Sequence, residues 1–142
     1  MALKLETVRE TIERSEACSC GGKGIATYTD VFRNGGRRIH RHFRCPACAK
    51  IEESEFDRLP KDVRLDFLAV HGEWTLRVDP AFALRALAAL RSKLELPFDV
   101  LSTMKDSGEA ISRGTRSEML DLGSVLSKCG IASTVARVND QI

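Results

Sequence analysis

The chain has 142 residues, and its 22 Lys and Arg against 20 Asp and Glu give a net charge of +2 at pH 7. This length suits one ordinary domain or two small ones, and because aromatic residues make up only 6%, aliphatic side chains must fill most of any core. No apolar run has the length that a signal peptide or a membrane span needs, so we expect a soluble, cytoplasmic protein with no membrane partner.

The N-terminal segment, residues 1–17, predicts a short amphipathic helix. Leu5, Val8 and Ile12 recur at steps of three and four, which is the spacing of one helix face. We expect this helix to lie on a neighbouring part of the chain, with binding to a partner protein as the alternative.

Four cysteines follow in two close pairs, Cys18-Ser19-Cys20 and Cys45-Pro46-Ala47-Cys48. Two pairs of thiolates on tight turns are the usual ligand set of a structural Zn²⁺ site. The spacing therefore predicts a zinc ribbon over residues 18–50, with all four cysteines as ligands. The alternatives are two disulfides, four unrelated core cysteines, or a ligand from His40 or His42, because the first pair has one intervening residue where two are usual.

The segment between the cysteine pairs predicts a β-hairpin, with strands at residues 25–33 and 37–44 joined through Asn34-Gly35-Gly36. Its basic side chains form a predicted cationic surface for phosphates or for an acidic protein patch. The residues of this surface are Arg33, Arg37, Arg38, His40, Arg41, His42 and Arg44. The alternative is a solvated face that only keeps the module soluble.

Residues 51–72 predict a charged connection followed by a bridging helix. Pro60 suits the first turn of this helix and Gly72 its end. Its apolar stripe is predicted at Val63, Phe67 and Val70.

Charge is unevenly distributed between these segments. Residues 1–50 have ten Lys and Arg against five acidic residues, whereas residues 51–75 have three against seven. If acidic side chains of the second segment face the hairpin, they neutralise part of the cationic surface.

Residues 73–142 predict a second domain with the element order β-α-α-β-α-β and a three-stranded antiparallel sheet, so the whole chain is of the α+β class. The predicted strands cover residues 74–78, 109–112 and 131–138, and the predicted helices cover residues 83–94, 98–104 and 116–129. Thr115 and Glu118 form a capping box at the third helix. Cys129 is predicted as a small buried hydrophobe on that helix, with a nucleophile as the alternative.

Residues 73–138 resemble the C-terminal domain of the bacterial ribosomal stalk protein L7/L12, whose fold is shared with the protease adaptor ClpS. The resemblance lies in the leucine-rich helix, Leu94-x-Leu96 before a second helix, Arg113-Gly114-Thr115 before a third, and Lys128-Cys129-Gly130-Ile131 before the last strand. It implies a compact domain that binds proteins and has no chemistry of its own.

The family's recruitment of translation GTPases does not carry over to this sequence. The stalk family uses lysines at the start of the second helix, and Pro97 and Phe98 stand near those positions here. No residue matches the peptide pocket of the protease adaptor.

No catalytic motif is recognisable in the sequence, which lacks an HExxH pair, a nucleophile elbow and a phosphate loop. We therefore predict a non-enzymatic, zinc-binding interaction module that acts as an adaptor, a complex subunit or an inhibitor, such as an immunity protein, of a protein partner. The alternative is an RNA- or ribosome-associated protein that uses the cationic surface. An enzyme with an unrecognised site is a third possibility, and no small-molecule substrate is expected.

Overall fold

Strands and helices of this α+β chain are seen in a computed structural model, which describes residues 7–33, 35–94 and 111–138, with the side chains of Ser92 and Leu94 excepted. The chain divides into two units, Met1–His71 and Gly72–Ile142. Each unit has an antiparallel sheet and its own hydrophobic core.

The first unit contains a four-stranded sheet in which neighbours along the chain are neighbours in space. Its elements are β1 (Thr7–Ala17), β2 (Lys23–Arg33), β3 (Gly36–Arg44), β4 (Ile51–Phe56) and α1 (Lys61–His71). Arg33 lies opposite Gly36 at the turn between β2 and β3, which confirms the predicted hairpin.

One face of this sheet, the inner face, packs under α1. Ile12, Tyr28 and Phe43 of the sheet form a core with Val63 and Phe67 of the helix. Because directly opposed residues of antiparallel strands share a face, the other side of the sheet can be read from the register. This open face carries Thr7, Arg9, Thr11, Glu13, Ser15, Ala17, Lys23, Ile25, Thr27, Thr29, Val31, Arg33, Gly36, Arg38, His40, His42, Arg44, Ile51, Glu53 and Glu55.

The predicted N-terminal helix is wrong, because residues 7–17 form the edge strand β1. Every residue of β1 has a partner in β2, from Thr7 opposite Arg33 to Ala17 opposite Lys23. Val8 and Ile12 are four residues apart, a spacing that also places them on one face of a strand. Both are buried, and the long ladder of pairs with β2 decides the conformation.

The segment after the second cysteine pair also differs from the prediction. Residues 51–56, which were predicted as a charged connection, form the strand β4 and pair with β3. The helix predicted after Pro60 is confirmed as α1, but it belongs to the core of the first unit. Val63 and Phe67 are buried as expected, whereas Val70 is 64% exposed and is not part of the apolar stripe.

The second unit contains a three-stranded antiparallel sheet with the order β6-β5-β7. Its elements are β5 (Trp74–Val78), a short 3-10 helix (Pro80–Phe82), α2 (Ala83–Leu94), β6 (Ser112–Gly114), α3 (Arg116–Lys128) and β7 (Ser133–Arg137). Leu76, Leu87, Leu90 and Leu126 are fully buried in its core.

Most of the second unit follows the prediction. The capping box of α3 is confirmed: the Thr115 amide donates to Glu118 Oε1 at 2.8 Å, and the Glu118 amide donates to Thr115 Oγ1 at 3.2 Å. Cys129 is exposed at the end of α3 and is not the buried position that the stripe predicted, because the helix closes there with its amide donating to the Leu126 carbonyl.

The remaining predictions for this unit depend on the segment between α2 and β6. The strand predicted at residues 109–112 is seen at Ser112–Gly114, and the helix predicted at 98–104 lies outside the described residues.

In the parts of the chain that the structure describes, no helix combines the length and the apolar character needed to span a bilayer.

Candidate metal centre

The four predicted zinc ligands lie on two turns at the same end of the first sheet. Cys18 and Cys20 belong to the turn between β1 and β2, and Cys45 and Cys48 belong to the turn between β3 and β4. Hydrogen bonds shape both turns: the Cys18 amide donates to the Gly22 carbonyl at 2.9 Å, and the Cys45 amide donates to the Lys50 carbonyl at 2.9 Å. Two hairpins therefore present their turns to each other.

The four sulfur atoms gather within 4.8 Å of one another. Cys18 Sγ is 3.7 Å from Cys48 Sγ, and Cys20 Sγ is 3.6 Å from Cys45 Sγ. Four sulfurs bound at about 2.3 Å around one tetrahedral ion would be about 3.8 Å apart, so these spacings fit a single ion. A disulfide needs about 2.05 Å between its sulfurs, and all four thiols are free.

Both sulfurs of the short first pair belong to the cluster, because the turn that carries them is tight and has two glycines, Gly21 and Gly22, after Cys20. Gly21 has a φ of +90°, a conformation that suits glycine. A Cβ on Gly22 would lie 2.9 Å from the Ala47 Cβ and 3.4 Å from Cys20 Sγ. The absence of a side chain at Gly22 lets the two turns approach closely enough for four sulfurs to meet.

The electrostatics of the cluster favour a bound cation. A hydrogen bond from the Cys20 amide, together with hydrogen bonds from the neighbouring thiols of Cys20, Cys48 and Cys45, lowers the pKa of the Cys18 thiol to about 7, although burial opposes this. The Lys50 amide lowers the pKa of the Cys48 thiol, but desolvation and the neighbouring sulfurs of Cys20, Cys18 and Cys45 outweigh it and raise this pKa to about 11. Successive thiolates repel one another, and a divalent cation among them would offset that repulsion.

Neither histidine of β3 joins the sulfur cluster, which among the described residues consists of the four cysteines. His42 Nδ1 lies 3.4 Å from Glu53 Oε1, and His40 lies opposite Glu55 on the open face. The alternative of a histidine ligand is therefore not supported.

The predicted cationic surface separates into two groups of side chains. Arg37 lies on the inner face, where it donates to both carboxylate oxygens of Asp30, with distances of 2.6 to 3.2 Å. Asp30 is fully buried and the Arg37 side chain is only 10% exposed. Arg37 is therefore a structural partner of Asp30 rather than part of a cationic surface.

Arg41 is also an inner-face residue. It donates to Glu16 Oε1 at 2.7 Å and to Glu52 Oε2 at 3.4 Å, and its guanidinium lies 4.9 Å from the centre of the Phe43 ring. The expectation that acids after the ribbon neutralise some of the basic hairpin is confirmed for this residue. The acidic residues of α1 pair with β1 and not with the hairpin: Asp62 and Asp66 lie 2.9 and 2.8 Å from the Arg14 guanidinium.

The other basic residues of the prediction, Arg33, Arg38, His40, His42 and Arg44, lie on the open face. Arg9 of β1 shares this face because it lies opposite Val31, which lies opposite Arg38. The sequence prediction missed Arg9 because it assigned residues 1–17 to a helix. The signal that indicates a strand here is the two-residue alternation of this segment. Val8, Glu10 and Ile12 share one face, and Arg9 lies on the other face with Thr7 and Thr11.

Comparison with known proteins gives no family assignment. No protein-family model matches the chain, and neither a curated protein nor a solved structure matches it. We therefore infer function from the cysteine cluster and the open face.

Proposed function

We propose that this protein is a zinc-stabilised interaction module that binds a protein partner and has no catalytic chemistry of its own. The four-cysteine cluster carries the proposal. Four thiolates around one ion favour zinc, and they fill its tetrahedral shell without leaving a position for water or substrate. Such a site fixes shape and does not catalyse.

A metal has a clear structural task in the first unit. The hydrophobic core of this unit is small. It extends to Cys18 and Cys45, which are buried in the two turns that carry the cysteines. A unit of this size gains little from apolar burial alone, so zinc would contribute folding free energy by joining the two turns. Free thiols that serve as ligands also agree with a reducing compartment, and we propose the cytoplasm.

The open face supports a role in protein binding. It combines exposed arginines toward the turn between β2 and β3, with Glu55 close to them, and Glu13 and Glu53 further along the strands. Charges of both signs in a fixed pattern select a complementary protein surface and suppress wrong partners.

The second unit enters the proposal as a further protein-binding domain, in line with the resemblance to the stalk-protein domain. The described elements β5, α2, β6, α3 and β7 occur in the predicted order, and their sheet is antiparallel with three strands. A shared fold class by itself does not identify a partner.

Affinity capture from the native host tests the protein-binding proposal. We expect the zinc-loaded wild-type chain to retain one protein in stoichiometric amount and Cys45→Ser to lose it, because the open face depends on the ordered sheet. Cys129→Ser is the matched control, since Cys129 is exposed and lies outside the cluster. Recovery of no stoichiometric protein, or equal recovery with Cys45→Ser, would contradict the proposal.

RNA binding is the second candidate, and the exposed Arg33, Arg38 and Arg44 favour it. Base stacking on the aromatic residues of the hairpin does not support it, because Tyr28 and Phe32 are buried at 4% and 8% exposure. Phosphate contacts predict affinity for generic RNA that falls steeply with salt and that charge reversal at Arg38 and Arg44 abolishes.

A further inference from the structure

The open face contains a cavity at the end that lies away from the cysteine turns. Its volume is about 640 Å³, and its lining includes Arg9, Thr29, Val31, Arg33, Arg38 and Glu55. This volume lies in the range of small-molecule and side-chain binding pockets.

Strand register explains why three arginines surround this cavity. Val31 of β2 lies between Arg9 of β1 and Arg38 of β3, each on an adjacent strand about 4.8 Å away. Arg33 is two residues further along β2 and therefore projects from the same face. The three side chains come from three different strands and flank one apolar floor residue.

These arginines form no ion pair within the part of the chain that the structure describes. Among residues 7–33, 35–94 and 111–138, no ion pair involves Arg9, Arg33 or Arg38. Arg37 also lines the cavity, but its guanidinium is bound to Asp30. Among the described lining residues, the three unpaired guanidinium groups and the Glu55 carboxylate leave two net positive charges.

We propose that this cavity binds a phosphomonoester dianion, carried by a phosphorylated side chain of the protein partner. Such a group has a charge of about −1.5 to −2 and three acceptor oxygens, which match two net positive charges and several guanidinium donors. The Thr29 hydroxyl adds a donor, and the Glu55 carboxylate keeps the anion at the arginine end. The proposal rests on the proposed function, because it names the chemical group by which a partner is recognised.

The composition of the open face favours this ligand over a nucleic acid strand. In its described residues the face has no Phe, Tyr or Trp on which bases could stack. A phosphodiester also carries one charge per nucleotide, whereas the three arginines line a single cavity.

The direct test is a titration of the whole zinc-loaded 142-residue chain with a short peptide that contains phosphoserine, followed by backbone amide NMR. We expect saturable shift changes centred on Val31, Thr29 and Arg38, and no saturable change with the unphosphorylated peptide. Arg9→Gln and Arg38→Gln should each weaken binding about tenfold or more, because each removes a charge-assisted donor. Arg44→Gln is the matched control, since Arg44 shares the face but does not line the cavity.

Three results would overturn the proposal. They are equal binding of both peptides, equal affinity for free phosphoserine and the phosphopeptide, and tighter binding of oligouridine that Arg44→Gln weakens as much as Arg38→Gln does. Failure of this titration leaves the capture of a partner by the wild-type chain unaffected, so the two proposals fail separately.

Discussion

Arg37 and Asp30 form a buried ion pair on the inner face of the first sheet. Asp30 has no exposed surface, and the shortest contact between the two side chains is 2.6 Å. Breaking such a buried pair by removing one of its two side chains is strongly destabilising, by about 3–5 kcal/mol.

Arg37→Gln should therefore lower the free energy of unfolding by about 3 kcal/mol. The measurement is urea denaturation of the zinc-loaded protein, followed by circular dichroism. Arg38→Gln is the control, because Arg38 is adjacent and exposed, and its substitution should change stability by no more than about 0.5 kcal/mol. Equal effects of the two substitutions would show that Arg37 is a surface residue.

The position of Arg37 shows what a single strand can reveal about its side chains. The alternation that places Ile39 and Phe43 inside also places Arg37 and Arg41 there, so their faces were predictable. Their acidic partners were not, because Asp30, Glu16 and Glu52 belong to three other strands whose register is set only by folding.

At the scale of elements, β1 shows how a periodic pattern can mislead. Three inward positions of this strand, Glu10, Arg14 and Glu16, are polar. The inward positions therefore do not form a continuous apolar alternation, and the remaining apolar residues have the spacing of a helix face. Each of the three polar residues meets a charged or hydrogen-bonding group of another element, such as Asp66 for Arg14 and Tyr28 for Glu16. Polar inward residues depend on tertiary partners, and a local pattern does not contain those partners.

Glu16 connects β1 to the centre of the sheet and should make stability depend on pH. Burial raises its pKa, but hydrogen bonds from Tyr28 and Arg41 and the charges of Arg41 and Arg14 outweigh this and lower it below the ordinary value of 4.5. A carboxyl with a lowered folded-state pKa adds stability above its unfolded pKa, and this stability is lost as pH falls through the folded-state pKa.

Glu16→Gln should therefore destabilise the protein by about 1–2 kcal/mol at neutral pH, since a hydrogen bond to a charged group is replaced by a neutral one. The difference from wild type should stay constant down to pH 4.5 and shrink below it. Urea denaturation of both proteins in the same metal state at each pH measures this difference. Glu13→Gln, on the open face, is the control, and a difference that grows at acid pH would refute the assignment.

At the scale of the whole molecule, the two units differ in how they are stabilised. The second unit has a core rich in leucine and described helices on an antiparallel sheet. In the first unit, the cysteine turns close one end of the sheet. Cysteine spacing is a local signal, so the candidate site could be predicted from the sequence, whereas the outer strands β1 and β4 could not.

The most direct test of the central claim is hydrogen exchange before and after removal of metal by a chelator. We expect one equivalent of zinc in the purified chain and, on chelation, loss of amide protection throughout β1 to β4 and α1. Protection in β5, α2, α3 and β7 should persist, because their core does not involve the cysteine cluster. A chain that binds no zinc, or a first unit that keeps its protection without the metal, would contradict the claim.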